Sequence, residues 1–327
     1  MASNSILNSS SSEQRWADQM SRMLKKDVVI DINEVGPSVF EVPKSMSALK
    51  PEAYTPQLIG LGPYHHFRLE LYQMQRSKLA AAKGVLKPDQ ILNFEELMIH
   101  GLKEFEPTIR MCYNKYLDLD PNTLAWILAI DGLFLLHFFN TDPMHKHNQD
   151  HFSGDKLKND AIISDIMMVE NQILVFLLKR ILMTSCTVYG DDTAGPSSPL
   201  EGKKEPFSLD ANHVHLLDLI YHLIVNKRGP TPDGGSIRDI EFSEKELTFY
   251  LLVINLNVNL EVILRNLVAY EVLSAKPRST LEFAEYVDLM SVIIDDAEDV
   301  RLLKEAGIIQ GSLVDEEIGN IFNRISY

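Results

Sequence analysis

Along most of the chain, apolar residues recur at three- and four-residue spacing, as in helices that bury one stripe. Leu79, Val85, Ile91, Leu97 and Leu102 lie in or beside such segments. NFEELMIHGLKEFEPTIRMCYNKYL (93–117) predicts one long amphipathic helix, kinked near Pro107. TLAWILAIDGLFLLHFF (123–139) predicts a central apolar helix, and 160–184 another that is apolar on nearly all sides. ANHVHLLDLIYHLIVNK (211–227) follows SLD, where Ser208 or Asp210 can cap the first turn, and RGPTPDGGS (228–236) reads as a turn-rich linker.

Beyond the linker the period changes. IRDIEF (237–242) and LLVINLNV (251–258) alternate partially, which predicts a short hairpin or small sheet on a helical body. Helices resume at 260–274, 280–294 and 296–307, the last with Asp296 as its cap and Gly307 as its stop. The expected fold is mainly α: a single large helical domain (26–327) with that small β element in its C-terminal half. Residues 1–25, Ser/Asn-rich at the start, read as a disordered or partly helical tail. YGDDTAGPSSPLEGKKEP (189–206) has the content of a mobile surface loop, so an insertion is placed at about 187–207. Deleting 190–205 is expected to spare folding and change partner choice.

Composition narrows the function classes. Over 327 residues, 45% of them hydrophobic, the chain carries 31 basic and 46 acidic side chains, a formal charge of −15. Such a field repels phosphate backbones and anionic lipid, which argues against a nucleic-acid partner. Cys112 and Cys186 are too few and too far apart for a disulfide framework, which fits a reducing, intracellular and cytoplasmic setting. The N-terminus lacks the basic and apolar regions of a secretory signal. The segment 123–139 is shorter than the roughly 20 apolar residues a bilayer needs and contains Asp131 and His137, so it reads as a core helix.

The candidate chemistry is sparse. GLGPYHH (60–66) sets Tyr64, His65 and His66 behind a Gly-Pro turn; it reads as a structural turn, with a metal or catalytic role as the alternative. VENQ (169–172) places Glu170, Asn171 and Gln172 on one turn, an inventory suited to satisfying buried backbone groups or to an active site. In MHKHNQDH (144–151), His145, His147 and His151 are weak metal candidates in a polar stretch that reads as solvated loop. No nucleophile elbow, phosphate loop or dinucleotide fingerprint occurs, so no catalytic residue and no cofactor are assigned.

VPKSM (42–46), AYTPQLIGLGPYHH (53–66), QRSK (75–78), ILAIDGLFLL (127–136), SDIMMVENQILVFLL (164–178), HLLDLI (215–220), RNLVAYE (265–271) and AEDVRLLKEAGII (297–309) occur in the order of the plant DUF247 (UPF0481-like) family, which the chain resembles over residues 41–326. The resemblance marks Tyr64, His65, His66, Asp131, Glu170, Asn171 and Gln172 as motif residues of a binding site. It implies a non-enzymatic protein-recognition module with a protein partner. Similarity to a grass group of the family further implies a male-side, pollen determinant of self-incompatibility. The alternative is a hydrolase-like or metal-dependent enzyme using the Tyr64/His65/His66 and Glu170/Asn171/Gln172 motifs. Two departures stand out. The proline that usually follows the Asn-Gln pair is replaced, so the helix is expected to run straight through. The membrane segment that usually follows IFNxI is not in this chain, which ends in IFNRISY and is expected to be soluble, the anchor being trimmed or lacking.

Overall fold

The computed structural model describes residues 12–21, 24, 36–141, 153–186, 214–226, 237, 241–243, 248–250, 254–256, 259–311 and 313–325. Helices dominate, as the three- and four-residue spacing requires. In chain order they are α1 (12–21), α2 (Lys44–Ser47), α3 (Met74–Val85), α4 (Pro88–Leu92), α5 (His100–Lys103), α6 (Glu106–Cys112), α7 (Pro121–Thr141), α8 (Ser153–Ile166), α9 (Val175–Cys186), α10 (Leu216–Asn226), α11 (Leu260–Ser274), α12 (Glu282–Ile293), α13 (Ala297–Glu305) and α14 (Asp315–Arg324). The predicted β element is present as two small pairings. Strands β1 (Glu241–Ser243) and β2 (Thr248–Tyr250) form an antiparallel hairpin with Phe242 opposite Phe249. Strands β3 (Ile254–Leu256) and β4 (Ile309–Gly311) pair in parallel, with Asn255 opposite Gln310. Among the described residues the two alternating runs therefore pair with other segments and not with each other.

Two helix expectations are corrected. Residues 93–117 do not form one kinked helix: a π turn (Glu95–Ile99), α5 and α6 follow in succession, and Pro107 stands in the first turn of α6, where its missing N–H costs nothing. Nor does 160–184 run straight through. Helix α8 ends at Ile166, a 3₁₀ turn occupies Val169–Asn171 and α9 begins at Val175. The amides of Asn171 and Gln172 take the carbonyls of Asp165, Ile166 and Met168, and so compete with helix continuation. Of the apolar residues read as stripe positions, Leu102 is buried, whereas Leu79, Ile91 and Leu97 face solvent. At α13, Asp296 accepts from the backbone N–H groups of Glu298 and Asp299, and Gly307 takes a positive φ of 75°, as the sequence predicts.

The chain divides into two compact units, each assembled from three separate segments. Unit 1 comprises 1–38, 61–147 and 173–215. Its axis is α7, which packs against α3 and α9 and buries Leu124, Leu128 and Leu133. By length and composition α7 could cross a membrane, yet more than half of it is buried within this protein, with Asp131 among the buried residues. Gly132 lets α9 approach closely: a Cβ there would meet Ile181 Cδ1 at 2.4 Å.

Unit 2 comprises 39–60, 148–172 and 216–327, and its core gathers around α11 and α12. Phe283, Tyr286, Val287 and Met290 of α12 are buried with Leu267 and Val268 of α11. Burial pushes the phenols of Tyr270 and Tyr286 far above their ordinary pKa, and the Asp218 carboxylate, which accepts from the Tyr270 hydroxyl at 2.6 Å, adds to the rise at Tyr270. The Tyr286 hydroxyl has no hydrogen-bond partner among the described residues.

Because the folded chain holds these protons longer than the unfolded one, the stability contributed is full below a phenol's ordinary pKa of about 10 and is lost as pH rises past it. Alkaline titration followed by phenolate absorbance and circular dichroism is expected to show these phenols ionising only as helix is lost. Tyr286→Phe, which removes an unsatisfied hydroxyl, is expected to raise stability in urea melts by about 1 kcal/mol. A fall in stability would show that the hydroxyl is solvated or bonded.

Candidate functional site

The motif residues fall into two clusters, one in each unit. In unit 1 the GLGPYHH turn is built around a positive φ of 67° at Gly62, a conformation an L side chain rarely adopts. The Gly62 N–H donates to Asp131 Oδ2 at 2.9 Å, and Lys78 Nζ donates to Oδ1 at 2.5 Å. Asp131 and Lys78 are both almost wholly buried. Burial pushes the Asp131 carboxyl above its ordinary pKa, with the Lys78 ammonium opposing.

The tyrosines and histidines pack around this pair. Tyr64 meets the Tyr113 ring edge-on at 5.4 Å, and Lys115 Nζ stands 5.8 Å from the Tyr64 centroid. His65 is buried, and its carbonyl accepts from the Arg68 N–H. His66 lies edge-on to Phe67 with its Nδ1 buried and, among the described residues, without a hydrogen-bond partner. Burial lowers the His66 pKa, the Asp131 charge acts against that, and the Lys78 charge reinforces it. A neutral imidazole is thus held beside a buried ion pair. Immediately after the turn, Phe67, Leu69 and Tyr72 are exposed at 66%, 85% and 72% of their surfaces.

In unit 2 the VENQ turn is a hub of backbone contacts. Glu170 Oε1 accepts the Val42 N–H at 2.7 Å, and Asn171 Nδ2 donates to the carbonyls of Ile59 and Asp165, both at 2.9 Å. Gln172 Nε2 donates to the carbonyls of Ile166 and Met168 at 2.7 Å, and its Oε1 accepts the Leu217 N–H at 3.1 Å. Sequence reasoning missed two partners of this hub, Asp165 and Asn266, and a third buried polar residue of the same unit, Glu271. Asp165 accepts the N–H groups of Gln57, Leu58 and Ile59 at 2.7–2.9 Å. Asn266 accepts the Val169 N–H and donates to the carbonyls of Ala53 and Val262. Glu271 accepts the N–H groups of Phe283 and Ala284, which start α12, and the Tyr221 hydroxyl.

These residues, like Lys78, sit inside motifs already singled out: QRSK, SDIMMVENQ and RNLVAYE. A polar residue at an interior position of an apolar helix was the available signal.

The remaining candidates carry less. His145, His147 and His151 lie outside the described residues, as do Ser208, Asp210 and the 187–207 insertion. Among the described residues no group of three or more His, Cys, Asp or Glu side chains is placed to hold a metal ion. His215 is buried, with Nε2 2.9 Å from the Ser38 carbonyl oxygen, and Cys112 is buried.

Chemically, both clusters fix backbone. Carboxylates and amides are directed at N–H and carbonyl groups of the chain itself, which is the use buried polar side chains ordinarily have.

The chain is 26% identical to the UPF0481 protein At3g02645 of Arabidopsis thaliana over 96% of its length and 83% of that protein's. It is 28% identical to the UPF0481 protein At3g47200 of the same plant over 56% of its length, which is 40% of that relative. No solved structure matches. A family model described as DUF247, plant protein of unknown function, matches residues 39–236 and 232–327, all of unit 2 and the two later segments of unit 1. By that match the chain belongs to the DUF247 family of plant proteins.

Proposed function

We propose that this chain is a non-enzymatic protein-recognition module. One observation within unit 1 carries the reading: the polar groups of Asp131 and Lys78 turn inward to hold the GLGPYHH turn, while Phe67, Leu69 and Tyr72 just beyond it stand in solvent. A firmly clamped turn that presents large apolar side chains resembles an interface anchor, because aromatic residues on an ordered support lose little entropy on binding. The inward direction of Asn171 and Gln172 supports the same reading over catalysis, which needs a group presented to substrate. Resemblance to the grass group makes allele-specific recognition between pollen and stigma the proposed setting.

The test is affinity purification from pollen and stigma extracts, with quantitative mass spectrometry, using the tagged chain and a Phe67→Ser/Tyr72→Ser variant. A saturable partner held by the first bait and lost from the second, with both unfolding at the same temperature, is the expected result. Equal capture by both baits would remove this surface from the interaction and the reading with it.

A further inference from the structure

Helix α3 turns its one leucine outward and a lysine inward. An amphipathic helix normally does the reverse, yet Lys78 is buried on Asp131 while Leu79 is 47% exposed. The backbone is already helical at Tyr72 and Gln73, and the Gln75 N–H donates to the Tyr72 carbonyl at 3.1 Å, so Tyr72 shares the phase of α3. On the outer side Tyr72, Arg76, Leu79 and Lys83 stand at i, i+4, i+7 and i+11, one stripe along the helix. Tyr72 and Leu79 are thus one heptad apart, and so are Arg76 and Lys83.

The stripe is positive in an acidic protein. Helix α3 contains no Asp or Glu, although the chain carries a formal charge of −15. Arg76 and Lys83 are exposed, and among the described residues neither side chain makes an ion pair or hydrogen bond. We infer that the outer face of α3 docks an acidic amphipathic helix of a partner protein, one that repeats apolar residues every heptad beside a row of Asp or Glu. Tyr72 and Leu79 form the apolar seam, and Arg76 and Lys83, about 10 Å apart along the axis, meet two carboxylates one heptad apart. The inference names the partner chemistry for the recognition reading above and rests on it, because Tyr72 belongs to both surfaces. Charge and spacing decide among occupants. A second copy aligned on the same stripe sets Arg76 and Lys83 against their own kind. An anionic bilayer attracts the stripe but is repelled by the rest of the chain, and a plane has no repeat to match the heptad.

The test titrates the full chain, by fluorescence anisotropy, with a labelled synthetic helix about three heptads long that carries Leu in its seam and Glu in the flanking row. A peptide of the same composition with the heptad scrambled is the control. Saturable binding of the heptad peptide alone, weakened by added salt, is the expected result. Arg76→Glu/Lys83→Glu is expected to weaken it by about tenfold or more, through two attractions lost and two repulsions gained. Both positions are exposed, so the variant should unfold at the parent's temperature; Arg76→Gln/Lys83→Gln, expected to bind with intermediate affinity, serves if it does not. Three results would overturn the inference: no saturable binding; equal binding of the two peptides; or undiminished binding by both charge variants. Cosedimentation with phosphatidylserine-containing vesicles in place of peptide binding would overturn it in favour of a membrane, and self-association lost in Arg76→Glu/Lys83→Glu in favour of a second copy. The recognition reading is separable in the extract experiment. A partner lost from the Phe67→Ser/Tyr72→Ser bait but held by Arg76→Glu/Lys83→Glu would leave that reading standing and overturn the acidic helix.

Discussion

Lys78→Met is expected to lower the unfolding free energy by about 3–5 kcal/mol, the cost of leaving one charge of a buried pair unmatched. Its ammonium is the buried cation on Asp131, and without it the carboxylate keeps the Gly62 N–H as a donor but loses its buried counter-charge. Against a total stability of about 5–15 kcal/mol, that loss leaves the fold marginal or undone. Replacing both partners, as Lys78→Met/Asp131→Leu, is expected to recover most of the deficit, because an apolar pair of similar volume incurs no ionic desolvation. Acid should also help the single variant. Burial holds the Asp131 carboxyl above its ordinary pKa, so the contribution of this group is full below the ordinary value and falls as pH rises through the raised one. At mildly acidic pH the neutral carboxyl no longer needs an ammonium, and the deficit of Lys78→Met shrinks. Urea melts of the three proteins at neutral and acidic pH measure all of this. A single variant as stable as its parent would mean that the pair is hydrated and does not clamp the turn.

Asp165→Ala is expected to cost about 3–5 kcal/mol through lost charge-assisted hydrogen bonds and orphaned backbone donors. The carboxylate binds three consecutive N–H groups, Gln57, Leu58 and Ile59, and so fixes the segment that runs into GLGPYHH. Of these bonds the one from the Ile59 N–H is buried, so its loss leaves a desolvated donor. Amide hydrogen exchange provides a local check: Leu58 and Ile59 should exchange faster in the variant relative to the α12 core. Unchanged protection at both amides would show that other contacts hold the segment.

The legible part of this fold was its periodicity. The central helix of 123–139 and the helix of 260–274 were readable because long apolar patterns leave little choice of secondary structure, and Asp296 and Gly307 marked the ends of α13 by chemistry that acts over a few residues. The breaks were not readable. Nothing in the spacing of 160–184 distinguishes a continuous helix from two helices split by a turn. The break is held by the bonds of Asn171 and Gln172 to nearby carbonyls and by partners far along the chain, Ile59 for Asn171 and Asn266 for the Val169 N–H, 112 and 97 positions away. The candidate site was legible to the same degree: the polar motif residues could be named, but Lys78 could be matched to Asp131 only by folding α3 against α7.

The interleaving of the two units has a consequence for how this protein is made. Unit 2 begins at residue 39 and its core draws on α11 and later helices, so Ala53 waits until Asn266 has been synthesised before its carbonyl receives that residue's amide. At ribosomal speeds of about 5–20 residues per second, that separation corresponds to a delay on the order of 10–40 seconds during which Phe40, Val42 and Tyr54 lack their core. Nascent chains of this protein should therefore engage chaperones early and release them late, and fragments ending before 266 should be recovered bound to them.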